Sequence, residues 1–296
     1  MNIYEQISSN KRKTFVIMLG FIIFISSLGY IFGEVWLGQG AGISIMVFAL
    51  IFSSFAAFFS YFFSDKAVLA LAHAKKVNRE ASPMVYGILE NLCIGAGIKK
   101  VPDLYLLDDT AINAFATGRD PDHAVVAVTT GAIDRLTKRE LEAVLAHELS
   151  HIRNYDIRLM TIVVVLVGSV SIMANIMLRS RISGGDKKSV GGWIVLIGFL
   201  LALLSPIIAQ LIKLAVSRSR EYLADASGAL LTRDPQGLAS ALEKIAADTE
   251  PLEVANEATA HLYISNPFKK GNKVMFANLF STHPSVEERI RRLRSM

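Results

Sequence analysis

The sequence predicts an α-helical integral membrane protein in which apolar segments alternate with polar blocks of mixed α and β structure. Hydrophobic residues make up 52% of the 296 positions. The mean hydropathy of +0.41 is high for a soluble domain. Four uncharged stretches each reach the roughly 20 residues that cross a bilayer as a helix. They are residues 14–33, 35–64, 159–178 and 189–212.

The first two stretches predict a membrane hairpin with both ends in the cytoplasm. The segments "KRK" before the first stretch and "KAVLALAHAKKVNRE" after the second are basic, whereas "GEVWLGQGAG" between them has no Lys or Arg. Positive charge marks the cytoplasmic side of short loops. The first stretch is long and is followed at once by a second, so we interpret it as a retained span and not a cleaved signal peptide.

The apolar segments divide the chain into four parts. We predict an N-terminal transmembrane hairpin over residues 1–64, a polar part over 65–158, a second transmembrane hairpin over 159–212 and a second polar part over 213–296. The loop "RSRISGGDKKSVGG" of the second hairpin is basic. If this loop lies outside the cytoplasm, its charge is opposite to the bias that places positive loops in the cytoplasm. The second hairpin therefore has weaker support than the first.

The polar parts show helix and strand patterns. "SPMVYGILENLCIGAG" predicts a helix that ends at glycines, and the apolar runs in "VPDLYLLD" and "HAVVAVTTGAID" predict strands. Further helices are expected through "SREYLADASGALLTR", "GLASALEKIAADT" and "SVEERIRRLR". These segments indicate an α+β domain.

Composition excludes several classes of protein. A single cysteine, Cys93, rules out an internal disulfide and a cysteine metal cluster. The net charge of +5 is mostly juxtamembrane Lys and Arg, which fits topology and contact with anionic lipid. No basic and aromatic interleaving is present, so nucleic acid is not an expected partner.

The segment "LTKRELEAVLAHELSHIRN" carries the strongest chemical signal. Thr137 and Glu140 form a capping-box pattern, which predicts the start of a helix. On that helix His147 and His151 are four residues apart, so their imidazoles share one face and can bind one metal ion. Glu148 follows the first histidine and can act as a general base toward water. The alternative is a solvated histidine pair at a helix end.

A catalytic zinc site usually has three protein ligands, so a third is required. The segment "SRSREYLADASGALL" offers Glu221, with Asp225 one turn later on the same face. In this interpretation Glu221 binds the zinc ion and Asp225 accepts a hydrogen bond from a ligand imidazole, which fixes its tautomer. The alternative is an exposed acidic helix face beside arginines.

These motifs, in this order, resemble the HtpX-type membrane zinc metalloproteases, gluzincins related to the CaaX prenyl proteases. The resemblance rests on "HELSH", "SREYLADASGA", "INAFATG" and "STHPSVEERIRRL" and extends over nearly the whole chain. It implies a cytosolic α+β gluzincin domain with a small β-sheet above the active-site helix. It also implies endopeptidase activity with one zinc ion per chain, at the cytosolic face of the bacterial inner membrane, in quality control of damaged membrane proteins under stress.

The resemblance also carries roles over to individual residues. His147, His151 and Glu221 match the zinc ligands, Glu148 the general base, and Asp225 the residue behind a ligand imidazole. Three further residues match positions around the substrate. Asn113 corresponds to an edge-strand position that binds the substrate backbone, His283 to an oxyanion-stabilising position and Arg289 to one that holds the substrate carbonyl. The alternatives are a turn asparagine, a surface or capping histidine, and one of several surface arginines.

Two other functions remain possible at this stage. An intramembrane protease of the site-2 kind also uses His-Glu-x-x-His, but there the motif lies within an apolar span, and here charged residues surround it. A membrane scaffold or chaperone adaptor that retains a degenerate protease fold would not need an intact set of ligands. Protein or peptide substrates, mainly membrane proteins, and the lipid bilayer are the expected partners; the sequence does not predict an oligomeric state.

The metal site constrains topology. His151 and Glu221 lie on opposite flanks of residues 159–212. To share one ion they must be on the same side of the membrane, so that block crosses the bilayer twice or not at all. We predict a hairpin with residues 179–188 outside.

Overall fold

The computed structural model describes residues 3–34, 38–166, 218–253, 259, 262–264 and 284–296. Two long apolar helices come first, α1 (Ile3–Phe32) and α2 (Ala41–Leu71). Both are long and apolar enough to cross a membrane. Large side chains on them are exposed, among them Phe48 at 69% and Phe55 at 67%. Such exposed apolar surface is typical of helices that face lipid.

The break between α1 and α2 differs in position from the sequence prediction. The second span was predicted over residues 35–64, whereas α2 begins at Ala41 and continues to Leu71. Gly38 and Gly40 have φ values of 101° and 89°, a left-handed conformation that ends helical continuity. The Glu34 carboxylate then accepts hydrogen bonds from the backbone N–H of Gly40 (3.3 Å) and Gly42 (3.2 Å). This carboxylate supplies acceptors at the start of α2.

The remaining described elements form a compact α+β domain. In chain order they are β1 (Lys75–Lys76), α3 (Pro83–Ala96), β2 (Asp103–Leu107), β3 (Ala114–Gly118), a 3₁₀ turn (Pro121–His123), β4 (Ala124–Thr129), α4 (Thr130–Arg135), α5 (Lys138–Arg153), α6 (residues 156–166), α7 (Arg218–Thr232), α8 (Pro235–Ala247) and α9 (Val286–Arg294).

The strands form a small mixed sheet in the order β1-β2-β4-β3. Strands β2 and β4 are parallel, and the other two pairs are antiparallel. The predicted α3, β2 and β4 are confirmed, as are the helices α5, α7, α8 and α9. Residue periodicity did not predict the two-residue β1 or the strand β3, but the resemblance implied an edge strand at Asn113, and β3, which begins one residue later, forms one edge of the sheet.

The sheet separates two hydrophobic cores. Leu104, Val126 and Val128 point to a core shared with α3, α5 and α8. Phe115 and Ala127, on alternate positions, point to a second core shared with α1, α2 and α6. This alternation follows from the two-residue period of a strand. The two long apolar helices thus share a hydrophobic core with one face of the sheet.

Helix α5 is held at both ends. At its start, the Thr137 and Glu140 side chains each bond the other residue's backbone N–H, so the predicted capping box is confirmed. At its end, Tyr155 adopts a left-handed φ of 60°, and α6 begins one residue later. Helix α6 begins the third apolar stretch, and its described residues are largely buried. The rest of the predicted second hairpin lies outside the described residues.

Candidate metal centre

Helix α5 presents His147, Glu148 and His151 in the interior of the molecule. Their exposed fractions are 0%, 2% and 4%. The Nε2 atoms of the two histidines lie 3.2 Å apart because four residues bring them onto the same face. A solvated histidine pair, the alternative left open by the sequence, does not describe this site.

Glu221 reaches the histidines from α7, which packs against α5. Its Oε1 lies 3.5 Å from Nε2 of His151, and its Oε2 lies 3.8 Å from Nε2 of His147. One ligand atom from each of the three residues lies within 4.8 Å of the others. Gly228 permits this helix contact, since a Cβ there would sit 3.1 Å from the backbone N of His147.

The chemistry of this donor set fits a metal cation. The Nδ1 atom of each histidine faces a carboxylate, at 3.0 Å from Asp225 for His147 and 3.1 Å from Asp156 for His151. A carboxylate at Nδ1 holds the ring proton there and leaves a lone pair on Nε2. Two lone pairs and the Glu221 carboxylate then converge in a buried space, the donor set that a metal cation takes.

The support behind His147 comes from helices α7 and α9. Arg289 of α9 donates to both Asp225 oxygens, through Nε at 2.9 Å and Nη2 at 2.7 Å. Burial alone would raise the pKa of Asp225, but the neighbouring Arg289 and His147 hold it well below its usual range. Arg289 is itself 1% exposed, and its Nη1 donates to the Ile264 carbonyl at 2.9 Å. It is not a surface arginine.

The support behind His151 comes from two other elements. Asp156, at the start of α6, accepts a hydrogen bond from Asn10 of α1 at 2.7 Å. Arg220 of α7 lies 3.7 Å from the same Asp156 oxygen and donates to the Asn10 side-chain oxygen at 3.3 Å. Sequence analysis assigned no role to Asn10, Asp156 or Arg220.

Glu148 lies between the two histidines in sequence and turns toward β3. Burial raises the pKa of its carboxyl to about 8, although nearby His151 and a backbone hydrogen bond from Ala116 partly oppose that rise. A carboxyl in this range can accept a proton near neutral pH and release it again. The arrangement therefore provides a general base beside the three candidate ligands.

The edge strand β3 runs past this carboxyl. Asn113, directly before β3, is 4% exposed, and its side-chain oxygen accepts from the backbone N–H of Ala114. The Ala114 carbonyl accepts a hydrogen bond from Ile264 at 3.2 Å. Part of this edge is thus paired with the chain itself. His283, predicted beside the substrate, lies outside the described residues.

A metal-binding His-Glu-x-x-His helix with a glutamate from a later helix, in a protein with two apolar membrane-length helices, defines a membrane metallopeptidase. The model of Peptidase family M48 matches residues 80–296. The chain belongs to this family.

Curated relatives match the chain over almost its full length. A Protease HtpX homolog of Thermoanaerobacter pseudethanolicus is 44% identical over 301 residues, covering 99% of this chain and 98% of the relative. One from Tropheryma whipplei is 44% identical over 296 residues, with the same coverage. One from Listeria monocytogenes is 41% identical over 310 residues, covering 99% of this chain and 100% of the relative. The predicted resemblance to HtpX-type proteases is confirmed.

A solved structure supports the fold. The crystal structure of S. mikatae Ste24p matches with a TM-score of 0.50 at 17% sequence identity. The match covers 98% of this chain and 66% of that protein, so the chain spans slightly less than two thirds of it. At this identity the likeness concerns the fold alone.

Proposed function

We propose that this protein is a zinc-dependent endopeptidase of the bacterial inner membrane whose active site faces the cytoplasm and which degrades misfolded or damaged membrane proteins during stress. The single observation that carries the proposal is the buried cluster of His147, His151 and Glu221 with Glu148 beside it. Burial of four ionisable side chains is costly unless they serve a bound cation and its chemistry. A scaffold or adaptor would not need such a buried cluster of ionisable side chains.

The ligand chemistry favours zinc. Two imidazole nitrogens and one carboxylate oxygen are the protein donor set of many catalytic zinc sites. When bound, zinc supplies an acidified water and polarises the carbonyl of the scissile peptide. We propose one zinc ion per chain.

The roles of the protein residues follow from their positions. Glu148, buried beside the candidate ligands, takes up a proton from the attacking water and delivers it to the leaving amine. Asp225 and Asp156 hold the ligand imidazoles through Nδ1.

For substrate binding we propose the edge of β3, where an extended peptide can pair with backbone groups and needs little sequence selectivity. Asn113 stands at the start of this edge. Arg289 lies 3.5 Å from Nε2 of His147 and donates to Asp225 and the Ile264 carbonyl, so we retain its place near the substrate carbonyl on the resemblance alone. We retain His283 as the proposed oxyanion donor on the resemblance alone.

The orientation of the protein is proposed from charge. Basic residues flank both ends of the α1 and α2 pair, and the connection between the two helices has no Lys or Arg. Membrane-protein substrates would reach a site so close to the bilayer without leaving it. An impermeant thiol reagent applied to intact cells tests the second hairpin, because cysteines placed at residues 179–188 should react.

The Glu148→Gln variant tests the proposed chemistry. The amide cannot take up a proton, so casein cleavage by the purified protein in detergent should fall by about 10²- to 10⁴-fold. Zinc content should stay at the wild-type level because the ligands are untouched. Glu142→Gln, a half-buried position on the same helix, is the matched control and should keep full activity. Continued cleavage by Glu148→Gln would show that the activity does not belong to this site.

A further inference from the structure

Asn10 lies at the cytosolic end of the first membrane helix and is only 3% exposed. A buried amide must find partners for its donors and its acceptor. Its Nδ2 donates to Asp156 Oδ1 at 2.7 Å and to the Asn154 carbonyl at 3.0 Å, and its oxygen accepts from Arg220. All of these partners belong to the protease domain, not to the membrane pair.

The Asp156 carboxylate links this amide to the metal centre. Its Oδ1 is held by Asn10, and its Oδ2 lies 3.1 Å from Nδ1 of His151. With one oxygen fixed, the other can meet the imidazole in only one orientation. A ligand imidazole held this way keeps its Nε2 lone pair aimed at the metal position, which lowers the cost of ordering the ligand on binding.

Helix α1 also holds the turn that carries Asp156. Lys11 stacks its ammonium over the Tyr155 ring at 4.4 Å. Tyr155 has the left-handed φ of 60°, a conformation that is strained for a non-glycine residue. Contacts from two successive residues of α1, Asn10 and Lys11, therefore fix the turn between α5 and α6.

We propose that Asn10 is a positioning residue for the metal ligand His151, acting through Asp156, so that the first membrane helix sets the metal affinity of the active site. The inference rests on the zinc centre proposed above. It extends that centre from the protease domain into the membrane anchor.

A double-mutant cycle on the full-length protein in detergent tests the link. The zinc dissociation constants of wild type, Asn10→Ala, Asp156→Asn and the double variant are measured by competition with a chelator. We expect zinc binding about 10- to 100-fold weaker for Asp156→Asn and about 3- to 30-fold weaker for Asn10→Ala. The double variant should be no weaker than Asp156→Asn alone, within about 2-fold, because Asn10 acts only through Asp156.

Two further measurements separate positioning from folding. Visible spectra of the Co²⁺-substituted proteins should show the same altered ligand geometry in Asn10→Ala and Asp156→Asn. Thr14→Val is the matched control, since Thr14 is buried one turn further along α1 and its Oγ1 has no hydrogen-bond partner among the described residues. It should bind zinc like the wild type. If Asn10→Ala does not fold, Asn10→Ser replaces it in the cycle.

The proposal is overturned if Asn10→Ala lowers only the melting temperature of the metal-free protein and binds zinc like the wild type. It is equally overturned if the two losses multiply in the double variant, because the two residues would then act independently. A wild type that binds no zinc would instead refute the proposed function and, with it, this inference.

Discussion

The two histidines of the candidate metal centre each have a carboxylate close to Nδ1, and these carboxylates are held by different parts of the molecule. Each Nδ1 faces a carboxylate, at 3.0 Å for His147 and 3.1 Å for His151. Behind His147, Asp225 is held by a two-pronged contact from Arg289. Behind His151, Asp156 accepts a hydrogen bond from the neutral amide of Asn10 on α1, and the Arg220 guanidinium lies 3.7 Å from the same oxygen.

This difference shows how the site depends on the membrane anchor. Helices α5, α7 and α9 are enough to build the His147 half, because Asp225 and Arg289 both lie on them. The His151 half needs α1 as well. A membrane helix in this protein therefore does more than tether the domain, since it completes the packing around one proposed ligand.

Apart from the proposed base Glu148 and the proposed metal ligands, the largest effect is expected from two residues that belong to neither half. Asn113→Ala should reduce casein cleavage by about 10- to 1000-fold through lost contacts to the substrate, while zinc stays bound. His283→Ala should behave in the same way. Zinc analysis and kinetics on one preparation check this. Loss of zinc from either variant would make that residue part of the metal site, and full activity in both would remove them from the mechanism.

Matched isosteric variants of the two carboxylates sharpen the comparison directly. Asp225→Asn and Asp156→Asn should each weaken zinc binding by about 10- to 100-fold. Asp225→Asn leaves the buried Arg289 without the carboxylate that it contacts at 2.7 Å, and breaking such a buried pair costs about 3–5 kcal/mol. The pair that Asp156→Asn breaks, with Arg220, is longer at 3.7 Å. The metal-free Asp225→Asn protein should therefore melt at a clearly lower temperature than Asp156→Asn. Equal melting temperatures would contradict the contrast between a close and a longer arginine contact.

The smallest effect is expected for Glu140, at the start of α5, and it concerns the stability of the fold alone. Burial would raise the pKa of Glu140, but hydrogen bonds from Lys244, Ser240 and Thr137 hold it at about 2. Because this pKa lies below the unfolded value, the contribution is present above about pH 4.5 and is lost as pH falls toward 2. Glu140→Gln should lose about 1–3 kcal/mol at pH 7 and leave zinc affinity unchanged. Melting curves from pH 7 to 3 should converge for the two proteins.

The sequence alone predicted those parts of the site that lie within one helix. The spacing of His147, Glu148 and His151 is a helical pattern that needs no tertiary knowledge. Glu221 lies on a different helix, beyond the range of helical spacing. It was identified only because a second motif follows an apolar block of the sequence. Residue periodicity did not predict β3 as a strand. Its residues are few and mostly small, and all of them are buried, so the strand shows no alternation of apolar and polar positions.

Of the two carboxylates behind the ligand imidazoles, the sequence predicted only Asp225. The reason is again the range of the contact along the chain. Asp225 lies one turn from Glu221, so helical spacing placed it near the ligands. Asp156 follows a left-handed turn at Tyr155, which a sequence does not reveal, and Asn10 meets it across 146 positions of chain. Contacts of that range depend on how membrane helices dock on the domain, which no local pattern encodes.

The zinc content of the Glu221→Ala variant tests the central claim most directly. Metal analysis of protein purified in detergent should find about one zinc ion per chain in the wild type and in the Glu142→Ala control. Glu221→Ala should lose its zinc during purification, because two histidines alone leave the ion poorly held, and casein cleavage should disappear with it. If Glu221→Ala instead retains tightly bound zinc, the third ligand lies elsewhere and the site described for this protein is wrong.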